Sequence, residues 1–78
     1  MSARVTMYTR EGCHLCDDAL AVVAAACTAS GSDYELVDID RDPLLRERYG
    51  EQVPVVTVDG QTVGFWRIDP LVLREALA

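Results

Sequence analysis

Cys13 and Cys16 stand in Cys13-His14-Leu15-Cys16, directly after a short run rich in β-branched and aromatic residues and directly before a long alanine-rich stretch. That junction limits the possible folds more sharply than any count of residues does. A Cys-x-x-Cys pair between a strand and a helix is the arrangement that thiol–disulfide exchange uses. Helix N-termini carry unpaired N–H groups and about half a positive charge, so they favour a thiolate over a thiol. Cys13 falls at the expected cap or first turn, where this effect is strongest. Cys16, three residues on, shares its helical face and lies near enough to close a disulfide.

The rest of the chain alternates strand and helix signals. Arg4 to Thr9 reads as a strand, and Glu11-Gly12 as a turn. A helix is predicted from His14 to about Ser30, ended by Gly31. Leu15, Cys16, Leu20, Val23 and Cys27 form its expected apolar side, with Asp17, Asp18, Thr28 and small alanines opposite. Tyr34 to Ile39 reads as a second strand. Asp42-Pro43 opens a short helix to Tyr49, with Asp as cap and Pro at the first position. Pro54 to Val58 is nearly all apolar, as a strand covered on both faces should be. Asp59-Gly60 is a hairpin signal into a fourth strand, Thr62 to Trp66. Asp69-Pro70 then starts a terminal helix with Leu73 and Leu77 facing inward.

The order is β-α-β-α-β-β-α. With helix-linked strands parallel and the hairpin adding one antiparallel strand, it predicts a four-stranded mixed sheet flanked by three helices. This order, with Cys-x-x-Cys after the first strand, resembles the minimal thioredoxin-type α/β architecture, which is the expected fold. Its 78 residues form one expected domain, 1–78, and its 50% hydrophobic content is enough for a core without staples. Three cysteines are too few, and odd in number, for a secreted disulfide scaffold. No apolar signal core opens the sequence and no stretch reaches a membrane span, so a reducing cytoplasm is the expected compartment. A net charge of −6 repels phosphate backbones and disfavours nucleic-acid binding.

The residues then resemble the glutaredoxin-like branch of the thioredoxin superfamily over essentially the whole chain. Tyr8-Thr9-Arg10-Glu11-Gly12-Cys13-His14-Leu15-Cys16, Val53-Pro54-Val55-Val56 and Asp59-Gly60 carry the likeness. Cys-His-Leu-Cys, Val37-Asp38-Ile39-Asp40, Arg48-Tyr49-Gly50 and Gly64-Phe65-Trp66-Arg67 are similar to a set of small glutaredoxin-like proteins of uncharacterised function. The resemblance implies a cis peptide bond before Pro54, beside the cysteine pair. It also implies that the Val53 backbone pairs with an extended substrate segment. Glutaredoxins follow their fourth strand with Gly-Gly and then small and acidic residues, which hold the γ-glutamyl end of glutathione. Here Gly64 matches the first glycine, and Phe65, Trp66 and Arg67 replace the rest.

Taken together, these readings make Cys13 the nucleophile and Cys16 the resolving thiol of a dithiol oxidoreductase acting on protein or small-molecule disulfides. Glutathione or thioredoxin reductase would supply electrons. Arg10, His14, Val53, Pro54 and Trp66 are the candidate substrate-binding residues. His14 also reads as a plain exposed spacer, and Phe65-Trp66 as packing against the last helix. A single Cys-x-x-Cys pair without a second ligand pair speaks against a zinc site, so no metal or cofactor is expected. Cys27 lies about 16 Å along the helix from Cys16, too far for a bridge, and reads as a core residue. A monomer is expected. The alternatives are an iron–sulfur or glutathione-binding module and a non-catalytic interaction domain.

Overall fold

The computed structural model describes residues 3–78; Met1 and Ser2, the first residues of the expected domain, lie outside the described residues. Strand β1 (Val5–Thr9) leads into helix α1 (His14–Ser30), then β2 (Tyr34–Asp38). A 3₁₀ turn, Ile39–Arg41, precedes helix α2 (Pro43–Tyr49), and β3 (Val55–Val58), β4 (Gln61–Phe65) and α3 (Pro70–Leu77) complete the chain.

Local chemistry sets most of these boundaries. Asp42 and Asp69 cap α2 and α3, each accepting the N–H two residues ahead at 2.9 Å, with proline in the first turn. Asp38 accepts the Asp40 N–H in the same way, so Ile39 leaves β2 for the 3₁₀ turn one residue earlier than the pattern predicts. Gly31 ends α1 at φ 71°, donating its N–H to the Cys27 carbonyl. Asp59 and Gly60, at φ 52° and 85°, make the tight hairpin between β3 and β4.

The four strands run in the order β2-β1-β3-β4. β1 and β2 are parallel, linked by α1 as expected. The expectation that β3 also runs parallel is corrected: it is antiparallel to β1, pairing Val5 with Val58 and Tyr8 with Val55. A parallel crossover must return the chain by a full strand length, about 17 Å for five residues. Helix α2 has only seven residues and rises about 10 Å. The connection therefore stays at the end of the sheet where β2 finishes, and β3 sets off downward from there.

Val5, Met7, Val56 and Val58 form one face of the sheet and bury against α1 and α3. The inward side of α1 is Cys16, Ala19, Val23, Ala26 and Cys27. Leu15 and Leu20, expected there, are half-buried, and two alanines take their place. Small side chains let α1 lie close to α3, whose Leu73 and Leu77 fill the space instead. On the opposite face α2 covers the end of the sheet nearest the cysteines, where Tyr8 stacks on Tyr49 with ring centroids 4.6 Å apart.

Candidate active site

Residues 10–13 carry the chain from β1 into α1, and Gly12 makes the turn at φ 79°. Cys13 is the N-cap of α1: its backbone is extended, and its Sγ accepts the Cys16 N–H at 3.2 Å. A thiol sulfur placed as a cap has the helix N-terminus aimed at it, which stabilises negative charge on that atom. Cys13 and Cys16 are joined as a disulfide with Cα atoms 5.3 Å apart, inside the range that bridging needs. The two sulfurs are not equivalent. Cys13 is partly exposed, whereas Cys16 is 5% exposed and faces the core.

The strand register brings the second element of the site alongside. Tyr8 pairs with Val55, so Pro54 lies level with Thr9, at the end of the sheet from which the cysteine loop departs. The Val53–Pro54 bond is cis and Pro54 is fully buried. Val55 pairs with Phe65, which sets Trp66 opposite Pro54, and the Trp66 N–H donates to the Pro54 carbonyl at 2.9 Å. Three chain segments far apart in sequence thus meet at one end of the sheet.

The remaining candidates are placed more variously. His14 is exposed at the start of α1. Arg10 is engaged within the protein: its guanidinium grips both oxygens of Asp40, at 2.7 and 3.2 Å, and donates to the Gly50 carbonyl at 3.0 Å. Trp66 is half-exposed, with its indole N–H on the Glu51 carbonyl at 2.7 Å and Phe65 edge-on at 5.2 Å. With Arg67 and Ile68 it walls a cavity of about 130 Å³ against Leu15, Asp18, Ala19 and Val22 of α1. Asp40 and the carbonyls of Gly50 and Glu51 are site components that the sequence does not announce. Asp40 belongs to a charged run whose local signal is only a strand end and a cap. Cys27 lies in the core; burial first, and Asp33 second, push its thiol pKa up. Among the described residues no three His, Cys, Asp or Glu side chains gather to hold a metal ion, and no helix is long and apolar enough to cross a membrane.

Comparison with known proteins gives a consistent picture. The chain matches the family described as Glutaredoxin-like domain (DUF836) over residues 4–78. It is 31% identical to an uncharacterized protein of Mycobacterium tuberculosis, over 96% of this chain and 82% of that one. A structural-genomics target protein from X. campestris, solved by X-ray crystallography, superposes with a TM-score of 0.78 at 36% identity, covering 94% of this chain and 93% of that chain. A wheat glutaredoxin shares the fold, with a TM-score of 0.59 at 20% identity over 97% of this chain and 80% of its own.

Proposed function

The chain belongs to the glutaredoxin-like domain family (DUF836), and from that premise we propose that it is a thiol–disulfide oxidoreductase working through the Cys13/Cys16 couple. In its reduced form the Cys13 thiolate attacks one sulfur of a substrate disulfide. The substrate S–S bond breaks, a Cys13 mixed disulfide forms, and the departing thiolate takes a proton. Cys16 then gives up its proton and attacks Cys13 sulfur, releasing the second substrate thiol. The protein is left with the Cys13–Cys16 disulfide and has passed two electrons to the substrate. A cytoplasmic reductant resupplies them: two glutathione thiols, which leave as one glutathione disulfide for their reductase, or thioredoxin reductase. Substrates are protein or small-molecule disulfides.

One observation supports this reading above the others: the asymmetry of the pair. Cys13 is the partly exposed cap with the helix terminus and the Cys16 amide on its sulfur, and Cys16 waits behind it in the core. An exposed attacking thiol with a shielded resolving thiol is what a two-step exchange requires. The Val53 backbone supports it further. Among the described residues no turn or loop hydrogen bond engages it, so it is free to pair with an extended substrate segment. His14, exposed at the start of α1, and Trp66, opposite Pro54, are the further residues this reading assigns to substrate contact.

The test is a pair of serine variants assayed on a peptide disulfide. Cys13→Ser is expected to lose turnover, while Cys16→Ser still attacks and accumulates a mixed disulfide visible by intact mass. Normal turnover by Cys13→Ser would refute the assignment. Supplying the two reductant systems separately then identifies the electron source.

A further inference from the structure

Val53 and Pro54 sit in the turn between α2 and β3, residues 50–54, which has no helix or strand of its own. A segment of that kind is ordinarily mobile, since nothing in a ladder fixes it. Here it is gripped from both sides. From one side Arg10, three residues before Cys13, donates to the Gly50 carbonyl at 3.0 Å while Asp40 holds the rest of its guanidinium. From the other side Trp66 donates its indole N–H to the Glu51 carbonyl at 2.7 Å. Its backbone N–H reaches the Pro54 carbonyl at 2.9 Å and the Gln52 carbonyl at 3.3 Å. The carbonyls of residues 50, 51, 52 and 54 therefore each meet a donor from one of these two residues. The carbonyl of Val53, between them, meets none of the turn or loop donors.

Packing does not account for Trp66. It is 52% exposed, and its backbone stands at φ 61°, a region that bulky residues seldom enter. What holds it there is the set of bonds to the turn. Trp66 also borders the cavity beside Leu15 and Ala19, so the residue reaches from the helix that carries the cysteines to the turn that carries Val53. Arg10 reaches the same turn from the loop that carries Cys13.

We propose that Arg10 and Trp66 are a pair of positioning residues that fix the Val53–Pro54 turn relative to Cys13 and leave the Val53 carbonyl as the one carbonyl of residues 50–54 that neither of them occupies. The catalytic consequence rests on the oxidoreductase reading above: an extended disulfide-bearing segment docks on a pre-set edge, without first ordering the turn.

The experiment uses the full chain and two conservative variants. Trp66→Phe keeps a ring and removes the indole donor; Arg10→Lys keeps a charge for Asp40 and removes the fork that also reaches Gly50. Each is expected to raise KM for an extended peptide disulfide about three- to tenfold, the loss of one or two hydrogen bonds. Turnover at saturation, the alkylation rate of Cys13 and the reduction potential stay at wild-type values. The double variant falls short of the product of the two single effects, because both act on one segment. Hydrogen exchange at the Gln52 amide, which ties the turn to the Tyr49 carbonyl at the end of α2 at 2.8 Å, becomes faster in both. Unchanged KM and unchanged Gln52 exchange in Trp66→Phe would overturn the proposal, as would a KM effect matched by an equal change in Cys13 alkylation. If the wild-type protein reduces no disulfide, the oxidoreductase reading alone fails. The exchange data then decide: faster Gln52 exchange in both variants upholds positioning, and unchanged exchange overturns it.

Discussion

The third thiol, Cys27, takes no part in the disulfide, yet it shapes how the fold meets alkali. It is almost fully buried, and burial together with Asp33 raises its pKa above the ordinary 9.0. An acid whose folded pKa is raised keeps its proton longer when folded than when unfolded. Its contribution to stability is whole below the unfolded pKa and is lost as pH rises from there through the folded pKa. The disulfide-bonded protein is therefore expected to lose stability above about pH 9, where the unfolded thiol ionises first. Cys27→Ala should flatten that alkaline limb in urea titrations run at pH 8 and pH 10. In the reduced native protein, alkylation of Cys27 should lag far behind that of Cys13, since only Cys13 is open to reagent and capped for the thiolate. Residue identity explains Cys27 fully: a small apolar side chain with a weak donor suits a tightly packed helix.

Helices and turns in this chain are specified by short local signals, and their removal has predictable costs. Asp42 and Asp69 each satisfy a first-turn N–H, and replacing either with Ala should cost about 1 kcal/mol. For a chain of this size that is a fall in Tm of about 4–8 °C, readable by calorimetry. Gly31 tests a different cause. An added Cβ there would meet nothing within 4 Å, so Gly31→Ala costs only the backbone penalty of φ 71°, about 1–2 kcal/mol. These elements were legible because caps, prolines and the Asp-Gly hairpin act over two or three residues. The ends of β3 and β4 were less so. The apolar pattern extends them to Pro54 and Trp66, but β3 begins at Val55 and β4 ends at Phe65. Trp66 leaves its strand because its bonds run to the turn at residues 51–54 rather than along a ladder.

One sheet face packed against α1 and α3 holds the chain together, and a single buried leucine shows how much rests on it. Leu73→Ala, at a side chain with no exposed surface, should cost about 2–5 kcal/mol, a large share of what a small domain possesses. Leu71→Ala two residues earlier, at a side chain mostly in solvent, should stay within about 0.5 kcal/mol. Chemical denaturation of the two variants side by side distinguishes them. By itself the sequence determined the order of elements, their caps, the Cys-x-x-Cys pair at a helix start and the burial of Cys27, Leu73 and Leu77. Each of these depends on contacts close along the chain or on simple periodicity. Tertiary structure alone decided the direction of β3, which follows from α2 being too short to return the chain across the sheet. It also decided the roles of Arg10 and Trp66. Their partners, Asp40, Gly50, Glu51 and Pro54, lie 12 to 40 residues away, and no local pattern encodes a hydrogen bond to a distant carbonyl.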